Sequence, residues 1–311
     1  MINPSDKNIF TFWDSQLDKS PLVVQMSAYS WEKVTDGTAW KVHYINETNV
    51  DAYEEQVSPE NKAMLQEFRS RFKAHQPHWS WTHYTDCLRL ALLSEFGGIW
   101  ADGTVCTSVA PEKWIPHFDS LLLPRGGNLV HEMNSWFITS PSRDKLLQTW
   151  CREFLDYCKD GKLRSQILHS PNKLSADFWL KKFSRLHPGL NKFWFSPLVK
   201  SVFRIAPYFA IYYMFSKVRR YPELRVPIWQ CHLPLDVEAW KIFNDADWLN
   251  ESPKGLKKRL LTMPIIKLCY KSNRGVTDVD SIPEGCMLDD IFRQIDSDWR
   301  KVMRERYGPH T

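Results

Sequence analysis

The sequence predicts an α/β fold, and three observations predict it. Over the first hundred of 311 residues, short β-branched and aromatic runs alternate with longer segments whose apolar residues recur at helical spacing, the pattern of layered α/β proteins rather than helical bundles. A composition of 43% hydrophobic and 25% charged residues is that of a globular chain. The stretch TDCLRLALLSEFGGIWADGTVC runs from an apolar helical pattern through Gly97-Gly98 into a strand that ends at an aspartate, Asp102.

NIFTFW reads as a first strand that stops at the polar DS, and SPLVVQMSAYSWEKV, from Ser20, as a helix after a Ser-Pro start. WKVHYI, Trp40 to Ile45, is a second strand. NVDAYEEQ and SPENKAMLQEFRSRF open with Asn or Ser where an N-cap belongs and carry acids in the first turn. Thr82 or Thr85 is expected to cap the next helix, with Leu88, Ala91, Leu92, Leu93 and Phe96 on its apolar face. Gly97-Gly98 ends it, because glycine accepts the left-handed conformation past a helix terminus. SLLLPR and SWFITS are further strands, and SRDKLLQTWCREFLDYC is an amphipathic helix after a Pro-Ser start. MPIIKLCYK, Met263 to Lys271, is a late strand expected to return to the main sheet. Three parts are therefore expected along the chain: a core over 1–160, an aromatic-rich and mostly helical insertion over 161–260, and a returning strand with a C-terminal helix over 261–311.

The 41 Lys and Arg against 36 Asp and Glu give a net charge of +5, which suits an anionic ligand or membrane surface and is too mild a footprint for nucleic acid. Seven cysteines without a CxxC pair offer neither a zinc site nor a disulfide framework, so a reducing compartment is the simpler reading. The first residues, MINPSDKNIFTFW, lack the basic and apolar regions of a signal peptide, and a cytoplasmic protein is expected. Fifteen tryptophans include several in polar surroundings, a habit of sugar and nucleotide sites and of membrane interfaces.

Residues Ile205 to Ser216 carry no charge but fall short of the roughly twenty apolar residues needed to span a bilayer. With Lys192, Lys200, Arg204, Lys217, Arg219 and Arg220 around them, they read either as a helix lying on anionic lipid or as a core helix broken near Pro207. His75, His78 and His83, beside Trp79 and Trp81, match no usual metal spacing and read as a polar loop.

Asp86 and Arg89 lie three apart, so on a helix they share a face as an ion pair or as two arms on one ligand. Asp102 stands where an apolar strand runs out, and ligands of open α/β sheets bind beyond the carboxyl ends of strands. A carboxylate there can hold Mg²⁺ or Mn²⁺ with diphosphate oxygens, or can simply make a turn before Gly103.

YTDCLRLALLSEFGGIWADGTV resembles the Asp-x-x-Arg, Gly-Gly and aspartate block of the glycosyltransferases related to the sugar-transferring bacterial toxins and the yeast mannosyltransferases, and most closely that of their capsular polysaccharide synthesis relatives. IFTFWDS, SWEKV and PIIKLCYK fall in the family's order, so the likeness covers most of residues 8–160 and about ten residues around 263–271. The resemblance implies a GT-A nucleotide-sugar-binding fold, a divalent ion on the diphosphate, and retention at the anomeric carbon with the departing phosphate oxygen as base. It implies that Asp86 and Arg89 hold hydroxyls of the donor sugar, that Asp102 approaches metal and ribose, and that Trp13 lies beside the nucleobase. Gly98 and Thr104 belong to the same block and are counted with the donor site; Asn134 looks like the family's strand-edge asparagine that reaches sugar or phosphate, or else makes an Asx-turn, and Lys267 and Lys271, on one face of a strand, either neutralise diphosphate or line a solvated strand edge. Thr104 stands where the toxin relatives carry a second aspartate, so the ion is expected to lean more on the diphosphate.

The reading is a transferase moving sugar from a nucleotide donor to a glycan or lipid-linked glycan acceptor in capsule or lipopolysaccharide assembly, on the cytoplasmic face of the inner membrane. Two alternatives stay open: a metal-dependent phosphoryl-transfer or hydrolytic enzyme, and an inactive glycan- or lipid-binding subunit.

Overall fold

A computed structural model describes residues 2–3, 6–75, 81–126, 132–159, 164–165, 182, 193–203, 205–207, 209–235, 249, 262–268 and 276–307. The chain divides into two compact units, each assembled from separated stretches.

One unit comprises residues 6–50, 99–118 and 234–311. Its centre is parallel: β1 (Lys7–Phe12) pairs with β2 (Trp40–Ile45) over its whole length, and on its other side with β3 (Gly98–Ala101) through Ile9–Ile99 and Phe10–Trp100. The helix α1 (Leu22–Thr35) connects β1 to β2, as a parallel crossover requires, and buries Leu22, Val23, Val24, Met26 and Tyr29. β4 (Val105–Thr107) pairs antiparallel with β10 (Ile265–Lys267) in a separate two-stranded ladder. The late strand thus returns to β4 and not, as expected, to the main sheet: Cys106 and Ile266 join the α1 core, which is where the apolar side of MPIIK finds cover. That core also takes in α7 (Met287–Ile295) and α8 (Trp299–Tyr307) through Leu288, Phe292 and Trp299.

The other unit comprises residues 1–5, 51–98 and 119–233. Its helices are α2 (Val50–Glu54), α3 (Pro59–His75), α4 (Trp81–Phe96) and α5 (Lys145–Cys158), the last capped by Asp144, whose carboxylate accepts from Leu147 N–H at 2.7 Å. β5 (Leu123–Pro124) pairs with β9 (His232–Leu233), β6 (Phe137–Ser140) carries SWFITS, and β7 (Arg164–Ser165) pairs with β8 (Ile205–Ala206).

α4 differs from expectation at its start. It begins by Trp81, so Thr82 and Thr85 lie inside it, and the Thr85 hydroxyl donates to the Thr82 carbonyl rather than capping. His83 is buried on this helix, not in a loop; His75 and His78 have no described side chains. The helix stops as predicted. Gly97 and Gly98 have φ of 64° and 97°, and a Cβ on Gly97 would come within 2.3 Å of the Ser142 nitrogen, so only glycine fits.

The aromatic segment resolves in favour of core at α6 (Ala210–Val218), which buries Ile211, Tyr213, Met214 and Phe215. Its cations meet acids: Lys217 pairs with Glu153 at 2.9 Å, and Arg219 and Arg220 with Glu132 at 2.8 and 2.5 Å. Among the described residues no helix is long and apolar enough to cross a membrane.

Candidate functional site

The residues singled out in the sequence gather into two clusters, one in each unit.

In the helical unit, Asp86 and Arg89 sit on α4 one turn apart and form an ion pair of 3.0 Å, with side chains only 7% and 5% exposed. This is no solvated surface pair. Arg89 Nε donates to the Thr85 carbonyl at 3.2 Å, and Nη1 donates to the Ser135 carbonyl at 2.5 Å and to Ser135 Oγ at 3.0 Å. All three guanidinium nitrogens thus have protein partners. A guanidinium so held is a fixed point charge, and its effect is to set the Asp86 carboxylate in one place.

Asn134, the residue before Ser135, is buried, and its amide donates to the Arg125 carbonyl at 2.8 Å. Asn134 therefore pins the turn between β5 and β6, which keeps Ser135 against Arg89. Ser135 is a site residue that sequence reasoning missed; nothing in SWFITS distinguishes its hydroxyl from any other.

In the sheet unit, Asp102 directly follows β3. Its Oδ2 accepts from Lys267 Nζ at 2.6 Å and its Oδ1 from Trp100 Nε1 at 2.9 Å. The strand explains the tryptophan: residues two apart share a face, so Trp100 lies on the same side as Asp102. The sequence carried that signal in GGIWAD without its being used. The Asp102 and Lys267 side chains are 25% and 28% exposed, so both are reached by water. β10 delivers Lys267 by pairing it with Val105, and Leu268 N–H then donates to the carbonyl of buried Thr104 at 2.8 Å. Thr104 thereby ties the Asp102 loop to β10. Lys271, the second lysine of the pattern, lies outside the described residues.

At the carboxyl ends of β1 and β2, where Gly103 follows Asp102, lies a small pocket. Aromatic Phe12, Trp13, Trp31 and Tyr44 line it, with polar Thr11 and Asn46. Trp31 is fixed by its Nε1 bond to the Val105 carbonyl at 2.7 Å, and Asn46 Oδ1 accepts from the Thr48 N–H at 2.8 Å. Gly103 forms part of the wall. A Cβ there would lie 2.8 Å from the Phe12 carbonyl and 3.1 Å from the Trp13 ring, so glycine lets the Asp102 loop close on Trp13.

The metal expectation meets a limited donor set. Among the described residues no three His, Cys, Asp or Glu side chains converge, and Asp102 is a single carboxylate already bonded to an ammonium. Such a set fits an ion held largely by diphosphate oxygens, with Asp102 as one protein ligand.

The chain is an α/β protein with an aromatic pocket at the carboxyl ends of its parallel strands, and the loop that lines it at Gly103 carries Asp102 one residue earlier. Residues 2–169, more than half of the 311, match the model of the family described as capsular polysaccharide synthesis protein, and the chain belongs to that family. No curated protein matches it. Among solved structures it is similar to the PaToxG glycosyltransferase at 13% identity and a TM-score of 0.37, covering 71% of this chain and 81% of that one; likeness of that degree carries no argument about activity.

Proposed function

We propose that the protein is a glycosyltransferase of GT-A type, which moves a sugar from a nucleotide-sugar donor to a glycan or lipid-linked glycan acceptor in capsule or lipopolysaccharide assembly. The observation that carries this reading is the aromatic pocket at the carboxyl ends of β1 and β2, with Asp102 one residue before the Gly103 that lines it, in a chain of the capsular synthesis family.

In this reading the nucleobase enters the pocket beside Trp13, whose flat ring suits a planar base. Asp86 receives hydroxyls of the sugar as a rigid acceptor, and Arg89 acts by orienting it, a change from two equal arms that follows from the guanidinium's bonds. Lys267 supplies positive charge where the diphosphate departs, exchanging Asp102 for phosphate oxygens. Mn²⁺ or Mg²⁺, when bound by Asp102 and the diphosphate, supplies further charge neutralisation. Gly98 and Thr104 act through the backbone: they shape the turns that enter and leave the Asp102 strand end. Catalysis then rests on positioning and preorganised charge, with retention at the anomeric carbon. The enzyme works on the cytoplasmic face of the inner membrane.

A thermal-shift screen of UDP-, GDP-, ADP- and CMP-sugars, each with and without Mn²⁺, tests the reading, since a ligand of the folded state alone raises its melting temperature. At least one sugar nucleotide is expected to stabilise the protein, more so with Mn²⁺. No response to any of them, with glycans still bound, points instead to the inactive binding subunit; turnover of a sugar nucleotide without any acceptor points to a hydrolase.

A further inference from the structure

The aromatic pocket is lined by polar side chains as well as rings, and their hydrogen bonds are unequally spent. Trp13 and Asn46 stand abreast where β1 and β2 end: Phe12 is in register with Ile45, and the Trp13 N–H donates to the Ile45 carbonyl at 3.0 Å. Asn46 opens a tight turn. Its N–H donates to Asn49 Oδ1 at 2.8 Å, and its carbonyl accepts from the Val50 N–H at 3.0 Å. Its side-chain Oδ1 accepts from the Thr48 N–H at 2.8 Å and from Thr48 Oγ1 at 2.7 Å. A backbone N–H can only donate, so the amide oxygen faces Thr48 and the amide nitrogen faces away from it. Among the described residues none accepts from that nitrogen, and none bonds the hydroxyl of Thr11, a lining residue only 7% exposed. The pocket therefore holds a fixed amide with two N–H groups to give and a buried hydroxyl that can give or take.

We propose that Asn46 reads the base of the nucleotide that the donor reading above places in this pocket: its amide donates to a ring keto oxygen, so the pocket selects a keto base over an amino base. The oxygen it meets is the one at pyrimidine position 4 or purine position 6, the pole of the base away from the ribose. The other pyrimidine keto oxygen, at position 2, adjoins the glycosidic bond and is crowded by the sugar. Uracil, thymine and guanine carry a keto oxygen at the remote pole, whereas cytosine and adenine carry an amino group there. An amide whose oxygen is already spent cannot accept from that amino group. Two N–H groups brought together would leave both without an acceptor, and a buried donor left unmet is costly. Thr11 can turn its hydroxyl to either kind of partner, so it adds affinity without choosing.

Calorimetric titration of the full chain with the diphosphates of uridine, cytidine, guanosine and adenosine, each with Mn²⁺, tests it. In whichever ring size the pocket admits, the keto base is expected to bind at least about tenfold more tightly than the amino base: uridine over cytidine, guanosine over adenosine. Asn46→Asp keeps one oxygen for Thr48, and with it the turn, while the other pole of the side chain changes from donor to acceptor. It should bring the keto-to-amino ratio to about one or invert it; an added negative charge by itself would weaken all four and leave the ratio where it was. Thr11→Val, of the same shape without the hydroxyl, should weaken keto and amino bases by the same factor. Equal binding of keto and amino bases by the wild type, or a ratio that Asn46→Asp leaves unmoved, would overturn the proposal while the donor reading stands. So would a ratio that collapses in Thr11→Val instead. Binding of none of the four would sink the donor reading and the role of Asn46 together.

Discussion

Asp86 with Arg89 and Asp102 with Lys267 are the same chemistry in two settings. The first pair is 7% and 5% exposed and tied on every guanidinium nitrogen; the second is 25% and 28% exposed and held by one ammonium and one indole. A buried pair gains much from its partner because neither charge has water to return to. A pair that is about a quarter exposed gains less, and so can exchange its partner for a ligand at smaller cost. The difference separates a fixed carboxylate from an exchangeable one; in the proposed function the first orients a sugar and the second takes the ion of the diphosphate.

Breaking each pair sharpens that contrast. Asp86→Ala leaves the Arg89 guanidinium buried without its carboxylate and is expected to cost about 3–5 kcal/mol of stability, read by urea unfolding; a cost under about 1 kcal/mol would mean the site is wetter than its burial implies. Asp102→Asn should behave oppositely. Sugar transfer at saturating Mn²⁺ is expected to fall by about a hundredfold or more, on the scale of losing one group that stabilises transition-state charge. Its stability should change by less than about 1 kcal/mol, and full transfer activity in this variant would remove Asp102 from the reaction.

The helical unit carries a pH signature of its own. Burial holds the His83 imidazole down at about 4 from its ordinary 6.5, so it is neutral when folded and takes a proton when unfolded across that window. The unfolded state then binds more protons, and stability falls as pH drops from about 6.5 towards 4, by about 3 kcal/mol at most. Urea midpoints across that range should flatten in His83→Gln, and an unchanged slope would assign the effect to other groups. The smallest expected effect is on the pocket wall. Gly103→Ala pushes a methyl against the Phe12 carbonyl and Trp13 ring and should cost about 1–3 kcal/mol while weakening nucleoside diphosphate binding. Unaltered nucleotide affinity would place the base elsewhere.

Much of the fold was legible because its signals are local. The strand runs NIFTF and WKVHY, the helix patterns after Ser20 and Ser58, and the glycines at 97 and 98 each act through their own neighbours in the chain. The Asp-x-x-Arg spacing likewise announced a pair, since three residues on a helix make one turn. What the spacing does not carry is depth: that the pair is buried depends on Ser135, 46 residues away, and on the Asn134 bond that holds it. The Asp102–Lys267 pair spans 165 residues, and its lysine arrives through an antiparallel ladder with β4 that no periodicity announces. In the aromatic segment, composition alone left core and membrane equally open. Acids in other segments, Glu132 and Glu153, settled α6 as core and moved the apolar exposure upstream to Leu198 and Val202.

The proposed function turns on Asp86 as the acceptor for the sugar of a nucleotide-sugar donor. Calorimetric titration of the wild type and Asp86→Asn, each with the stabilising sugar nucleotide and with its nucleoside diphosphate alone, tests that most directly. The sugar nucleotide is expected to bind the wild type more tightly than the bare diphosphate does, and Asp86→Asn to abolish this advantage while leaving diphosphate binding intact. An equal advantage in both proteins, or none in the wild type, would contradict it.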